Sequence, residues 1–351
     1  MDENQKLELI EARKSLSGMR TYFSKLERED IAKYRKIMRL QEEEIQVLHN
    51  RLRMAEAFEG KVENKRVRVA YKRKKNPRAY QLHLSDTHSR EIVRKEETGG
   101  RNEHNPDIGR ERLRSVIMQS IEHIKDDSRN HDPVHLTVWG GGDWMVNADL
   151  HYKMERCVDV EPLVEMRLTY EMLKEELGIL WKEVPVESLS FVGSFSNHGR
   201  DSKEMIPGLE AARSYDSEIY RRLEGDFPKV KFHVAETNWT VEEVAGFRTM
   251  YTHGHAAKCK VARGPTGVMV PNWGFLAEMK RTYNFNAWVQ GHYHSASALV
   301  SHHFAHMQNG SLVGENGYSN SGAFPGEPAS QNLAVVNLTD QEIEKVIKIN
   351  A

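Results

Sequence analysis

The stretch YQLHLSDTHSR, residues 80–90, alternates Tyr80, Leu82 and Leu84 with Gln81 and His83, then runs into Ser85-Asp86-Thr87-His88. A period of two predicts a β-strand, and the polar tail predicts the loop after it. The same plan recurs along the chain. VHLTVWGGGDWMVNADLH (134–151) leads into a glycine triplet and Asp143, and SLSFVGSFSNHGRDS (188–202) ends at Asn197-His198-Gly199-Arg200. GFRTMYTHGHA (246–256) ends at His253-Gly254-His255, and FNAWVQGHYHS (285–295) at His292 and His294. Stretches with helical texture at 110–126, 161–180 and 208–224 alternate with these segments. Strands alternating with helices predict an α/β domain, whose ligands gather beyond the carboxyl ends of the strands.

At 351 residues the chain can bury a large core, as one large domain or two smaller ones. Hydrophobic residues make up 39% and charged residues 29%, which predicts a soluble protein on the polar side. A net charge of −1 gives no global pull toward nucleic acid or an anionic membrane. Two cysteines, Cys157 and Cys259, form no CxxC pair, so a reducing, cytoplasmic setting is expected. No apolar run nears the ~20 residues that span a bilayer, and the acidic start MDENQKLELIEARK is unlike a secretory leader. No membrane partner is therefore expected. Histidine is frequent at 17, mostly after residue 80, a compositional hint of a metal enzyme.

Residues 1–58 contain no proline and a single glycine. Leu16, Met19, Phe23 and Leu26, then Ile31, Tyr34 and Met38, then Ile45, Leu48 and Leu52 recur at helical spacing, with a break near 28–30. This predicts a helical arm that either packs on the body or serves as a coiled-coil or partner-binding element, with self-association as one use. KVENKRVRVAYKRKKNPRAY (61–80) is strongly basic; residues 59–78 read as a solvated linker or as a phosphate-backbone contact. The catalytic domain is expected over 79–351.

Taken singly, each loop is a weak signal. A satisfied buried histidine would account for His253 alone, and a D-x-H occurs often by chance. The glycine triplet suggests a phosphate loop, but no Gly-Lys-Ser/Thr follows and Asp143 stands where the cradle would be. As an ordered series, carboxylate, amide and imidazole groups make a hard-to-borderline donor set suited to Mn, Fe or Zn.

The series resembles the calcineurin-like metallophosphoesterase superfamily: D-x-H at 86–88, G-D at 142–143, N-H at 197–198, the histidine of HGH at 253, and G-H-x-H at 291–294. The resemblance covers most of residues 79–335. Within that superfamily the chain looks most like phage-encoded phosphoesterases described as exonucleases, through NEHNPDIGRERL (102–113), the NHGR ending and NGSLVGENGYSNS (309–321). It implies an α/β fold of two mixed β-sheets sandwiched between helices, and a cytoplasmic location, that of the host if phage-encoded. It also implies two divalent cations, manganese first, with zinc, iron or magnesium as alternatives. Asp86, His88 and His294 would hold one cation and Asn197, His253 and His292 the other, with Asp143 bridging. Two ions ~3.5–4 Å apart clamp a phosphate and activate water. His198 would face the substrate as the catalytic histidine, stabilising equatorial oxygens or protonating the leaving oxygen. Arg200 is either a phosphate contact through its planar fork or a solvent-exposed residue after a turn.

The family pattern is not matched everywhere. Ser196 stands where a glycine precedes Asn-His, which predicts a differently shaped loop. GDWMVNADLH and NHGR lack the Asp-Arg-Gly and Asn-His-Glu of protein Ser/Thr phosphatases, which argues against that activity. His255 is expected to orient a ligand, His83 and His151 to be structural, and SHHFAHMQNG, with His302, His303 and His306, to form a return strand. The substrate expected is nucleic acid, making the chain a DNA nuclease of exonuclease type. The alternatives are a small-molecule phosphodiesterase or phosphomonoesterase, or a non-catalytic scaffold, which the presence of all seven ligand positions disfavours.

Overall fold

Tyr80, Leu82 and Leu84 join one hydrophobic core, while Ala79 on the opposite face of the same strand joins another. The strand is β2 (Pro77–Leu84), and every residue in it is buried. Its polar positions, Gln81 and His83, therefore do not face water; Gln81 Nε2 donates to Thr249 Oγ1 of a second sheet at 2.7 Å. One strand thus serves two apolar layers, which makes the fold a sandwich.

The computed structural model describes residues 76–148, 150, 157–202, 210–256, 273–302, 304–317, 319 and 326–351, with isolated backbone positions at 14, 68–69, 262–263 and 269–270. The chain divides into Met1–Lys65 and Arg66–Ala351. The expected helical arm, residues 1–58, lies outside the described residues apart from Lys14, as do His151, Cys259 and His303. Of the stretch expected as a basic linker, Arg68–Val69 form strand β1, and Pro77 and Arg78 open β2. Arg78 is held there by Glu344, at 2.7 Å.

The first sheet has the order β14 (Glu342–Asn350), β13 (Ser330–Asn337), β2, β3 (Asp132–Gly140), β4 (Ser188–Gly193), β5 (Lys231–Val234). Strands β2 to β5 run parallel, and β13 and β14 are antiparallel additions. The second has the order β1, β6 (Thr240–Val244), β7 (Phe247–Thr252), β10 (Ala287–Gln290), β12 (Phe304–Gln308), β11 (Ser297–Ser301). It is also mixed: β7, β10 and β12 run parallel, while β6 and β11 are antiparallel to their neighbours β7 and β12. A short pair, β8 (Ala262–Arg263) and β9 (Met269–Val270), forms a separate ribbon. The expected return strand is β12, which pairs with β11 around a turn at His302.

The sheets pack face to face through Trp139, Val192, Tyr251, Val289, Met307 and Ala334. Helices α1 (Pro106–Asp127), α2 (Pro162–Glu183) and α3 (Tyr215–Asp226) cover the outer face of the first sheet. Helix α4 (Trp273–Tyr283), which the sequence reading did not anticipate, contributes Leu276 and Met279 against Met250 and Trp288 of the second. The layers are therefore helix, sheet, sheet, helix.

The sequence dictates α1 clearly. Asn105 caps it by accepting from Asp107 N and Ile108 N, both at 3.0 Å, and Pro106 at its first position loses no hydrogen bond. Leu113, Val116, Ile117, Ile121 and Ile124 fall on one face and are all buried, each worth about 1.5–3 kcal/mol relative to exposure. Ile117→Ala would cost about 2–5 kcal/mol. Helix α3 begins at Tyr215 and not at 208, because residues 210–214 lie in turns and in a bridge between Arg200 and Ser214.

Strand register aligns the loop exits. Leu84, Gly140 and Gly193 end β2, β3 and β4 in one row, and Thr252 and Gln290 end β7 and β10 in another. Five loops thus leave the strands at two level edges, three from one sheet and two from the other.

Candidate metal centre

Sharp turns carry most of the expected ligands. Asp86 (φ 52°), His88 (38°), Asp143 (52°), His292 (72°) and His294 (54°) all adopt left-handed backbone. Aspartate and histidine are among the few non-glycine residues that enter this region readily, so the residues carrying the chemistry also make the turns. The loop 141–147 organises the others. Asp86 N donates to Gly142 O at 3.0 Å and His88 N to Asp143 O at 2.9 Å. His253 Nδ1 meets Gly141 O at 2.7 Å, His88 Nδ1 meets Met145 O at 3.2 Å, and His198 Nδ1 meets Val146 O at 2.7 Å. A carbonyl only accepts, so each ring carries its proton on Nδ1 and leaves Nε2 as the lone-pair nitrogen of the neutral form.

Those nitrogens converge with the carboxylates. Asp86, His88, Asp143 and His294 form one donor group, and Asp143, His253 and His292 a second, each with ligand atoms within 4.8 Å of one another. His88 Nε2 lies 3.8 Å from Asp143 Oδ2 and 3.3 Å from His294 Nε2, which is 3.5 Å from Asp86 Oδ1. His253 Nε2 stands 3.2 Å from Asp143 Oδ2 and 3.0 Å from Asn197 Oδ1. With Nδ1 committed to a carbonyl, Nε2 of neutral His253 would point a lone pair at two oxygen acceptors. Such a cluster demands a positive charge at its centre, either a proton or a metal ion. The seven residues singled out as ligands are brought into one site, and His292 and His294 fall into separate donor groups. This cluster of Asp and His residues could hold metal ions.

The electrostatics agree with that demand. Burial opposes ionisation of Asp143, yet His253, His198 and His88 around it hold its carboxyl well below the usual range. Burial opposes a charge on His253 too, but Asp143 and Asp86 outweigh it and raise the ring to about 9. Asp86 is pushed up to about 7 by burial, with His253 pulling the other way. Burial lowers His88 well below its ordinary value and His292 to about 3. His88 and His292 are thus neutral, and the positive charge that His253 takes up beside the two carboxylates is one that a first-row divalent ion would supply in place of the proton.

Supporting contacts hold the donors in place. Asp86 accepts from Ser85 Oγ at 2.5 Å and from His292 N at 2.9 Å. Gly291 permits this approach, since a Cβ there would lie 2.5 Å from Asp86 Oδ2. Residues 102–113 and the described residues of the stretch 309–321, namely 309–317 and 319, build a wall behind it. Arg112 donates to Leu312 O and Val313 O, and Asn102 Nδ2 donates to Val313 O at 2.8 Å. From that wall, Ser311 Oγ and Leu312 N donate to Asp86 O at 2.9 and 3.2 Å.

Sequence reasoning missed Asn147 and Glu165. Asn147 Nδ2 donates to His198 O and Arg200 O, both at 2.7 Å, and its own backbone is left-handed at φ 54°. Glu165 Oε1 and Oε2 accept from Val146 N and Asn147 N at 2.7 and 3.1 Å. The one available signal was a carboxylate on the face of α2 that also carries the buried Thr169 and Leu173. Arg200 places Nε on Asn197 O at 2.8 Å, so its fork braces the turn it follows. His255 stands with ring centroids 5.3 Å from His253 and 6.5 Å from His292, and among the described residues no hydrogen bond from it orients a ligand. His83 is fully buried against Trp139, outside the donor groups.

Among the described residues, no helix is long and apolar enough to cross a membrane. No family model and no curated protein matches the sequence. Solved structures do resemble the chain. One is a conserved Streptococcus pneumoniae TIGR4 protein described as a predicted phosphoesterase, 12% identical, covering 77% of this chain and 98% of its own, with a TM-score of 0.30. A second, an archaeal phosphodiesterase, is 10% identical over 77% of this chain and 99% of that one, at 0.35. A third, vacuolar protein sorting 29 from Cryptosporidium parvum, is 12% identical over 79% and 100%, at 0.32. At such values the likeness carries no argument of its own, and the chemistry rests on the site. No resemblance to phage exonucleases emerges from these neighbours.

Proposed function

We propose that the chain is a two-cation phosphoester hydrolase, and that its substrate is a nucleic-acid phosphodiester. The observation carrying the first part is that the Asp143 carboxylate belongs to both donor groups. Asp86, His88 and His294 would hold one ion, Asn197, His253 and His292 the other, and Asp143 both. When bound, two such ions supply Lewis acidity toward a phosphoryl oxygen and lower the pKa of a water between them. Manganese is the first metal to try, since the oxygen and imidazole donors suit it.

The chain's own residues do the rest. His198, with Nδ1–H fixed on Val146 O, would act through Nε2, which takes up a proton on its lone pair and, as imidazolium, donates it to a phosphoryl oxygen or to the departing alkoxide. The Asn147 amide keeps that histidine's backbone in place. Arg200 would offer its terminal amino groups to the anion while Nε keeps its hold on Asn197 O.

The nucleic-acid part is supported by the sequence. Residues 61–77, leaving out the buried Arg78, carry eight Lys or Arg against one Glu, enough to follow a phosphate backbone. A substrate panel with Mn²⁺ tests it, comparing bis(p-nitrophenyl) phosphate, p-nitrophenyl phosphate, and single- and double-stranded DNA. Hydrolysis of the bis-aryl diester and of DNA is expected. Turnover of the monoester alone would overturn the nuclease assignment, and folded protein that binds no divalent ion would overturn the hydrolase itself.

A further inference from the structure

Ser196 occupies the position where the family resemblance expects glycine, and its hydroxyl is fully engaged. It accepts from Gly199 N at 3.0 Å and donates to Asp216 Oδ2 at 2.5 Å. The carboxylate accepts the hydroxyl's hydrogen bond, so a lone pair on the serine oxygen is left facing the Gly199 amide. One side chain thereby closes the turn that presents Asn197 and His198. Asp216 is the second residue of α3, fully buried, and α3 is tied to the same turn by Tyr215 N donating to Gly199 O at 2.7 Å. The fit leaves no slack, since a Cβ on Gly199 would stand 2.1 Å from Asp216 Oδ2.

Stability alone does not account for this arrangement. A buried carboxylate is costly, and apolar replacements of buried polar groups are often neutral or stabilising. What the couple does secure is geometry. The turn holds Asn197 Oδ1 3.0 Å from His253 Nε2 and His198 N 3.1 Å from Asp143 Oδ1. We infer that Ser196 and Asp216 are positioning residues for the second cation position, fixing Asn197 against His253 and His198 against Asp143 without touching ion or substrate. The inference rests on the two-cation reading above.

Mn²⁺ binding to the full chain tests it, measured by titration calorimetry and by the electron paramagnetic resonance signal of a coupled Mn²⁺ pair, beside the melting temperature. Ser196→Ala should bind the first ion as the native protein does and the second about 10–100-fold more weakly, the range for loss of a supporting partner. Its coupled-pair signal should fall; the melting temperature should drop by a few degrees because Asp216 loses its hydroxyl donor, with the first ion still bound at native affinity. Asp216→Asn, which keeps an acceptor oxygen and nearly the native shape, should show the same split to a smaller degree. It decides the matter by itself should Ser196→Ala not fold. Native affinity at both positions in both variants would overturn the inference, as would an equal loss of both ions together with melting temperature. Native protein that takes up only one Mn²⁺ would overturn the two-cation reading, and this one with it.

Discussion

Asp143 Oδ2 and His253 Nε2 stand 3.2 Å apart, and they come from different β-sheets. Asp143 follows β3 in one, His253 follows β7 in the other. The candidate metal centre therefore joins the two sheets at their level edges, and its occupancy should be felt by the whole domain.

Ions that bind the folded chain and not the unfolded one stabilise it by about 2.7 kcal/mol at 100 times the dissociation constant. For a domain of this size that corresponds to roughly 5 °C for each ion and about twice that for the pair. Saturating Mn²⁺ should raise the melting temperature by about that much in scanning fluorimetry, and EDTA should reverse it. An identical melt with and without metal would argue against an ion at the sheet junction.

Asp143→Asn removes the carboxylate shared by both donor groups while keeping its shape. Uptake of both ions should weaken by more than the about 10–100-fold typical of a lost supporting contact, and diester turnover should be abolished. Circular dichroism should remain native. Two ions bound with native affinity would show that Asp143 bridges nothing.

His198→Ala separates proton transfer from metal binding. Turnover number should fall by about 10²–10⁴, the usual contribution of a general acid, with Mn²⁺ stoichiometry unchanged. The lost hydrogen bond to Val146 O should cost only about 1 kcal/mol of stability. Unaltered turnover would remove His198 from the mechanism.

Four buried histidines away from the centre set the acid limit of the fold. Burial lowers His83 and His135 to about 3 and His104 and His306 to about 4. Unfolded, each titrates near its ordinary ~6.5 and takes up a proton that the folded chain refuses. Their contribution to stability is thus complete above about pH 6.5, is lost progressively as pH falls from there, and is gone below the folded values of about 4 to 3. Urea midpoints measured in EDTA should drop steeply across that window. His135→Gln, which can still bond Ser188 or Ser190, should flatten the slope by about one proton.

Much of this was legible because β2, β3, β4, β7 and β10 each end in residues whose types announce their use. The alternation of Tyr80, Leu82 and Leu84 revealed a strand, but not that Gln81 and His83 face a second sheet. Only the pairing of β12 between β10 and β11 settles which strands share a sheet, and that is a long-range fact. Asn147 and Glu165 escaped for the same reason: their partners are backbone groups, which carry no sequence signature. The basic stretch at 61–78 could be read for its charge, whereas Arg78 turns out to be a buried residue of the interior strand β2, paired with Glu344.

The left-handed backbone at Asp86, His88, Asp143, His292 and His294 has a cost of its own, of order 1–3 kcal/mol for each residue held in so sparse a region. Glycine would relieve it at any of these positions. His292→Gly should therefore melt higher than the native chain in EDTA and lower in saturating Mn²⁺, and selection for heat tolerance in metal-free medium would drift toward erasing the candidate ion site.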